Sequence, residues 1–291
     1  MPNTGPLELD TKAPPFDQFR AIRPLAPNRS GREAAPHTRH QLYAARDRET
    51  NVQVLIKVTT KPGRVYAQNL DNEIATLSTI NSALPESRTF PLLRGHGTLR
   101  DGRTYLVITL FDEFPLATTI DPDSAPHRAG WHVRTAVEIA RALRDLHAIP
   151  VYHVDLNPMN ILYRAEHGSP VIRIVDFESA YVPARHARGV FYDPPTTPHF
   201  SAPEVSTQPP DGRADVFSLG AVLYTMLRGY GWTWSDAADV SVEADATLEP
   251  ELKALVLKAV HSDPARRYAA IADLLTALEG YLNAVWPGRD W

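Results

Sequence analysis

The chain has 291 residues, of which 43% are hydrophobic and 22% charged, the balance of a globular protein with a sizeable core. Its formal net charge of -4 gives no general attraction to nucleic acid or to an anionic membrane, and no apolar run approaches the ~20 residues of a spanning helix. The absence of cysteine excludes disulfides, thiolate metal sites and a cysteine nucleophile, and it fits a cytoplasmic protein.

The first part of the chain predicts a small, mostly antiparallel β unit with one helix. Residues 1–18 are polar and proline-rich, so we expect a flexible tail without the pattern of a signal peptide. Apolar runs predict five strands, at residues 19–25, 42–46, 52–58, 90–95 and 104–111. Residues 69–80 carry apolar side chains on a helical period, and the unit is expected to cover residues 19–112.

The second part predicts a helical unit over residues 113–285, followed by a short tail at 286–291. Helical periodicity is strongest at residues 131–147, 215–227 and 269–282. Pro150 ends the first of these helices. The pattern therefore indicates an α+β protein with two lobes, one rich in β-strands and one helical.

Three polar side chains after the first of these helices point to a chemistry. Asp155 and Asn160 lie five residues apart, and Asp176 follows another apolar run. Two short apolar strands, at residues 161–163 and 171–175, would carry Asn160 and Asp176. An acid and two oxygen ligands in this order can accept a proton from a hydroxyl and hold a divalent metal on a nucleotide, which is what phosphoryl transfer needs.

The segments HVDLNPMN at 153–160 and DFE at 176–178 resemble the catalytic loop H-R-D-L-x-x-x-N and the metal loop D-F-G of the protein kinase family. Four more segments resemble family motifs: VLIK at 54–57, TPHFSAPE at 197–204, DVFSLG at 215–220 and DPARR at 263–267. The similarity runs from about residue 19 to about residue 282. Its later motifs favour bacterial serine/threonine kinases over small-molecule phosphotransferases of the aminoglycoside and choline type.

The resemblance implies an ATP-dependent serine/threonine protein kinase that uses Mg²⁺. Lys57 would hold the phosphates, with Glu73 orienting it, and Asp155 would be the catalytic base. Asn160 and Asp176 would hold the metal ions. ATP is expected between the lobes near a hinge at 109–112, where it would also contact Leu25, Leu42, Leu55, Thr109, Leu110 and Leu162.

The resemblance also implies partners and structural roles. The partner would be a protein substrate or a regulatory protein, with no nucleic acid and no membrane segment. Arg267 would form a buried ion pair with Glu204, and His153 would be a structural side chain that orients the loop.

The family's glycine-rich loop is degenerate in this chain. The three glycine positions fall on Ala35, His37 and His40, and the only glycine of the loop is Gly31. The cradle of backbone amides for the phosphates is therefore lost or rebuilt. Basic side chains of the loop would either contact phosphates or form a solvated surface; they include Arg29, Arg32 and Arg39.

Four side chains depart from the family pattern: Leu55 stands for an alanine, Val154 for an arginine, Asn157 for a lysine and Glu178 for a glycine. Leu55 would narrow the adenine site. Without the arginine, phosphorylation of Thr196, Thr197 or Ser201 is not needed through that route. Arg164 or Arg185 would have to replace the lysine, and Glu178 would either repel the nucleotide or add a metal ligand.

These departures keep two alternatives open. One is a weak or inactive pseudokinase that acts by binding a partner, with ATP as a structural ligand. The other is a small-molecule phosphotransferase.

Overall fold

A computed structural model describes residues 9–25, 40–120, 128–189, 192–195, 197–229 and 238–285. These residues form two compact units. The first unit contains the described residues up to Pro85 together with Pro91–Asp112, and the second contains Glu86–Phe90 and the described residues from Glu113 onward. The first is built on an antiparallel sheet and the second mainly on helices, which confirms the predicted α+β class.

The first unit contains a five-stranded sheet with the order β1-β2-β3-β5-β4, in which all neighbouring strands are antiparallel. The strands are β1 (Phe19–Pro24), β2 (His40–Asp47), β3 (Gln53–Thr59), β4 (Leu93–Thr98) and β5 (Thr104–Thr109). One helix, α1 (Arg64–Ala83), follows β3 and contacts β3, β4 and β5. The sequence predicted this helix at residues 69–80, so its central part is confirmed and its ends extend further.

The sheet buries one face in an apolar core because successive side chains of a strand point to opposite faces. Phe16 and Phe19 pack there against alternate residues of the central strands, namely Tyr43, Ala45, Val54, Ile56, Val58 and Val107. The opposite face of β3 therefore carries Leu55 and Lys57.

The strand predicted at residues 90–95 is wrong in its bounds. The observed β4 begins at Leu93 and continues to Thr98 through Gly95 and Gly97. Glycine is depleted in strands, so the sequence pattern did not predict the second half of this strand. Phe90 belongs instead to the second unit, where its ring lies 6.1 Å from that of Phe177 in an edge-on arrangement. A buried aromatic residue raises local hydrophobicity whether it lies in a strand or in a loop, so the sequence pattern alone could not separate the two cases.

The second unit combines a small sheet with six helices in the part of the chain that the structure describes. The sheet has the order β6-β7-β8, formed by β6 (Phe114–Pro115), β7 (Ile161–Glu166) and β8 (Ser169–Ile174). The helices are α2 (Ala129–His147), α3 (Pro183–His186), α4 (Gly212–Arg228), α5 (Ala238–Ala244), α6 (Pro250–Ala259) and α7 (Ile271–Val285). The helices predicted at 131–147, 215–227 and 269–282 correspond to α2, α4 and α7.

Helix α4 is the centre of the second unit. Each residue from 214 to 227 is buried, and the helix contacts α2, α6 and α7. Gly220 lies where α4 meets α6: a Cβ at this position would come within 2.7 Å of the Ala259 Cβ and 2.9 Å of the Val260 Cγ1. The close approach of the two helices therefore depends on the absence of a side chain at residue 220.

The predicted ion pair between Glu204 and Arg267 is confirmed. Arg267 Nη1 lies 2.7 Å from Glu204 Oε1 and Nη2 lies 2.8 Å from Oε2, so the pair is bidentate. The Arg267 side chain is fully buried and also donates to the carbonyl oxygens of His261 and Arg213, at 2.7 and 3.0 Å.

No helix among the described residues is both long and apolar enough to cross a membrane.

Replacement of Gly220 by alanine should destabilise the protein, because a Cβ would collide with α6. Overpacking of this kind costs about 1–3 kcal/mol. Gly280→Ala on α7 is the matched control: nothing lies within 4 Å of its Cβ position. In a helix interior that change should be neutral or stabilising by up to about 1 kcal/mol. Urea unfolding of both variants measures the difference, and equal stability of the two would contradict the packing described here.

Candidate active site

Lys57 and Glu73 form a buried ion pair in the first unit. Strand β3 supplies Lys57 and helix α1 supplies Glu73, and the Lys57 Nζ lies 2.7 Å from the Glu73 Oε2. The two side chains are only 7% and 0% exposed. Removing either charge would leave the other buried without its counter-charge, which is strongly unfavourable. The pairing expected from the sequence is therefore present, and the ammonium is held at a fixed place on the sheet.

Apolar side chains surround Lys57 on the same face of the sheet. Cross-strand register pairs Lys57 with Leu42 on β2 and Leu106 on β5, and it pairs Leu55 with Ile108. Leu42 is 39% exposed and Leu55 is partly exposed. Apolar side chains with exposed surface, such as Leu42 and Leu55, offer contacts for a ring system beside an ammonium that can bind an anionic group. Leu106 and Ile108 were not predicted from the sequence, because only the register between β3 and β5 shows which residues lie on the same face as Lys57.

Three of the predicted nucleotide contacts lie at strand ends: Leu25 follows β1, Thr109 is the last residue of β5 and Leu110 comes directly after it. Thr109 pairs with Val54, whose side chain lies in the apolar core, so the Thr109 side chain falls on the face opposite Lys57. The Leu110 amide already donates to the Gln53 carbonyl at 3.1 Å. Leu25 lies beside β2, where its amide donates to the Leu42 carbonyl at 2.9 Å.

The degenerate loop falls largely outside the described residues. This applies to Ala35, His37 and Gly31, and to the basic residues Arg29, Arg32 and Arg39. His40 is described as the first residue of β2, where it pairs with Thr59.

Two amide side chains fold the loop that carries Asp155 in the second unit. Asn160 Nδ2 donates to the Asp155 carbonyl at 3.0 Å and lies 3.4 Å from the Asp155 carboxylate Oδ2. Asn157 Nδ2 donates to the same carbonyl at 3.0 Å, and its Oδ1 accepts from the Met159 amide. Asn157, which stands where the family has a lysine, is therefore used inside the loop and provides no cation.

Strands β7 and β8 bring Asp176 beside Asn160. The Val175 amide donates to the carbonyl of Asn160, the residue just before β7, at 3.0 Å, and Asp176 directly follows Val175. Asp176 has a φ of 68°, and this left-handed backbone occurs at the aspartate rather than at Glu178, which replaces the family glycine. Leu162, the remaining predicted contact, pairs with Arg173 within this sheet.

His153 is structural, in agreement with the interpretation from the sequence. Its side chain is fully buried, its Nε2 lies 3.0 Å from the Val175 carbonyl oxygen, and its ring lies 5.0 Å from that of Phe177. It therefore connects the loop of Asp155 to the end of β8, immediately before Asp176.

The Asp155 carboxylate is held in a partly buried, polar environment. Thr197 donates its hydroxyl to Asp155 Oδ1 at 2.5 Å. Burial raises the pKa of Asp155, and the negative charge of Asp176 adds to this, whereas the bonds from Thr197 and Asn157 and the proximity of His153 oppose it. A carboxylate with a raised pKa is a better proton acceptor than a solvated one. No spacing in the sequence predicts the contact between Thr197 and Asp155, which lie 42 residues apart.

A buried carboxylate of α4 anchors the loop. Asp215 accepts the His153 amide at 2.9 Å, the Val154 amide at 2.7 Å and the His147 ring Nε2 at 2.8 Å. Full burial alone would raise the pKa of Asp215, but the bond and charge of His147 and the other donors together hold it below its ordinary value. Val154 has a φ of 66°, a rare conformation for a β-branched residue. Its bond to Asp215 compensates for this strain.

The two arginines considered as substitutes for the missing lysine have other neighbours. Arg164 lies 3.2 Å from Glu166 and 3.7 Å from Glu113. Arg185 Nη2 lies 3.5 Å from His186 Nε2.

Comparisons with known proteins agree with this geometry. Residues 40–277 match the family model described as "Protein kinase domain". The chain is 30% identical over 196 residues to the serine/threonine-protein kinase Pkn1 of Myxococcus xanthus, a match covering 61% of this chain and 27% of that protein. It is 37% identical over 150 residues to the ribosomal protein S6 kinase alpha-2 of Mus musculus, and 38% identical over 149 residues to the alpha-3 protein of Homo sapiens.

The S6 kinase matches cover 46% and 45% of this chain and 20% of each relative. The chain thus spans about a quarter or less of the length of these curated relatives.

The substitution Asp215→Asn should destabilise the protein. An amide of the same shape cannot accept from all three donors, and each buried donor left without an acceptor costs about 1–3 kcal/mol. Because the pKa of Asp215 is lowered on folding, its ionisation stabilises the wild type above the unfolded pKa, and this contribution is lost as the pH falls through the folded pKa.

The measurement is urea unfolding of both proteins at neutral pH and at progressively lower pH. Asp145→Asn is the control, since the Asp145 side chain is 50% exposed and its loss should change stability by less than about 0.5 kcal/mol. The gap between wild type and Asp215→Asn should narrow on acidification. A gap that is absent at neutral pH would refute the anchoring role.

Proposed function

Since the chain belongs to the protein kinase family, we propose that it transfers the γ-phosphoryl group of ATP to a serine or threonine hydroxyl of a protein. The observation that carries this proposal is the Asp155 carboxylate. It is partly buried, its pKa is raised, and the amide side chains of Asn157 and Asn160 lie in the same short loop. The relatives named above are serine/threonine or ribosomal protein S6 kinases by name, which supports the same substrate class.

In the proposed reaction each residue has one task. Asp155 accepts the proton of the substrate hydroxyl as that oxygen attacks the γ-phosphorus, the bond from this phosphorus to the β,γ-bridging oxygen breaks, and ADP leaves. Lys57 binds phosphate oxygens, and Glu73 keeps the ammonium in place through the 2.7 Å ion pair. Leu42 and Leu55 lie on the same face of the sheet as Lys57, and they supply apolar contact for the adenine ring of ATP.

The donor set fits Mg²⁺. Asn160 uses its amide nitrogen on Asp155, so its side-chain oxygen stays available, and Asp176 contributes a carboxylate. Carboxylate and amide oxygens are hard ligands of the kind that Mg²⁺ prefers. When bound, the metal would neutralise charge on the phosphates.

Several features motivate the two other functions considered. Asn157 supplies no cation beside Asp155, Val154 is apolar, and Leu55 projects from the face that carries Lys57. A pseudokinase would bind Mg²⁺ and ATP without turnover over a broad panel of proteins. A small-molecule phosphotransferase would phosphorylate a metabolite and no protein. The protein substrate and a cytoplasmic location remain predictions from the sequence.

The substitution Asp155→Ala should abolish phosphoryl transfer and leave nucleotide binding intact, because Asp155 acts on the hydroxyl. Loss of a general base lowers the rate by about 10²–10⁴-fold or more. The measurements are transfer from labelled ATP to a protein panel, and the rise in Tm that Mg²⁺ and ATP produce by binding the folded state. Retained turnover in this variant would disprove the role of Asp155.

Lys57→Ala should remove the rise in Tm that Mg²⁺ and ATP produce, because Lys57 binds the phosphates. Lys61→Ala, which changes an exposed lysine just after β3, should retain this rise.

The rate of transfer by the wild type should fall on acidification at a pH above the ordinary aspartate pKa range, since the raised pKa of Asp155 leaves its carboxyl protonated to higher pH. An acid limb at or below that range would argue against Asp155 as the base.

A further inference from the structure

Three rings form a cluster in the segment between Asp176 and Glu204. The Tyr181 ring stacks on His186 at 4.9 Å with an interplanar angle of 23°. The Tyr192 ring meets Tyr181 edge-on at 5.1 Å and lies 5.5 Å from His186. We call Tyr181, His186 and Tyr192 the aromatic cluster. It joins residues 181 and 186, near the beginning of this segment, to residue 192.

The aromatic cluster is attached directly to the loop of Asp155. The Tyr152 amide donates to the Tyr181 carbonyl at 2.9 Å, and the Tyr181 amide donates to the Tyr152 carbonyl at 2.8 Å. Tyr152 immediately precedes His153, whose amide is bound by Asp215. The Asp155 loop is therefore held from α4 on one side and from the segment with the aromatic cluster on the other.

The His186 ring fixes the local backbone without carrying charge. Its Nδ1 accepts the Val182 amide at 2.9 Å. Burial, together with the charge of Arg185, lowers the pKa of His186 to about 4. The ring is therefore neutral at neutral pH, so its packing against Tyr181 needs no counter-charge.

Tyr192 contributes its ring rather than its hydroxyl. The hydroxyl is buried, and the described residues give it no hydrogen-bond partner. Burial raises the pKa of this phenol, and the negative charges of Asp215 and Asp155 act in the same direction. The hydroxyl thus stays protonated and makes no bond that could hold the segment, so the contact depends on the edge of the ring against Tyr181 and His186.

We propose that Tyr192 and His186 are positioning residues that hold this segment against the Asp155 loop through uncharged ring contacts, so that transfer requires no phosphate on the segment. The inference rests on the function proposed above and deepens it by naming how the site is kept in order. Val154 agrees with it, because the residue next to Asp155 is apolar and fully buried and offers no cation to a phosphorylated side chain.

The test uses the full chain after phosphatase treatment, with mass spectrometry to verify that no phosphate remains. Tyr192→Ala should lower kcat at least tenfold and leave the KM for ATP within threefold. Amide exchange at residues 152 and 181 should rise at least tenfold, since these amides form the bridge to the Asp155 loop. Tyr192→Phe retains the ring and should restore both kcat and slow exchange to within twofold of wild type.

Tyr268→Ala is the matched control. It removes a half-buried ring that lies 4.3 Å from the Lys258 ammonium in the same unit, and it should leave kcat and exchange at residues 152 and 181 unchanged. If Tyr192→Ala does not fold, Tyr192→Leu replaces it, since leucine keeps apolar volume but not the ring edge.

Wild-type kcat and exchange in Tyr192→Ala or Tyr192→Leu would overturn the proposal. So would a phosphate-free wild type that is inactive until the segment is phosphorylated. A wild type that transfers no phosphate in either state would instead defeat the proposed function. The exchange measurement would then still confirm or refute the contact between the aromatic cluster and the Asp155 loop.

Discussion

The second unit depends on one buried carboxylate. Asp215 lies in the first turn of α4, where the positive end of the helix dipole favours a negative charge. It binds two consecutive amides of the Asp155 loop and a histidine of α2. The loop is thus held by charge and by hydrogen bonds from a helix that is itself fixed on every side. Any shift of α4, for example at its contact with α6 beside Gly220, would move the proposed base.

The first unit solves a similar problem with an ion pair instead of backbone donors. Lys57 projects from a sheet face on which its direct cross-strand neighbours, Leu42 and Leu106, are apolar, and Glu73 is its carboxylate partner in that environment. Strong Coulomb attraction at low dielectric gives the ammonium a defined position, which a flexible surface lysine lacks. Both units therefore place the atoms relevant to chemistry by burying charge together with its partners.

The sequence was a good guide where a signal is local. The helical periods of α2, α4 and α7 and the motif order around Asp155 predicted elements and candidate residues that the structure contains. Glu204 and Arg267 were paired correctly from motif resemblance. Contacts between segments distant in sequence were not visible. The face on which the Thr109 side chain lies follows from strand register, and the bond from Thr197 to Asp155 follows from tertiary packing. The contacts of Asn157 are local, but they depend on the conformation of the loop, which the residue types alone do not specify.

The bidentate pair of Arg267 and Glu204 has a consequence for the order of folding. Its two residues lie 63 positions apart, and α4, α5 and α6 lie in the intervening chain. Closing so long a loop is entropically costly while that chain is disordered, and a buried guanidinium finds its carbonyl partners only once the helices are assembled. The pair should therefore form late in folding. It should contribute little to the early folding of the helical unit and mainly slow its unfolding.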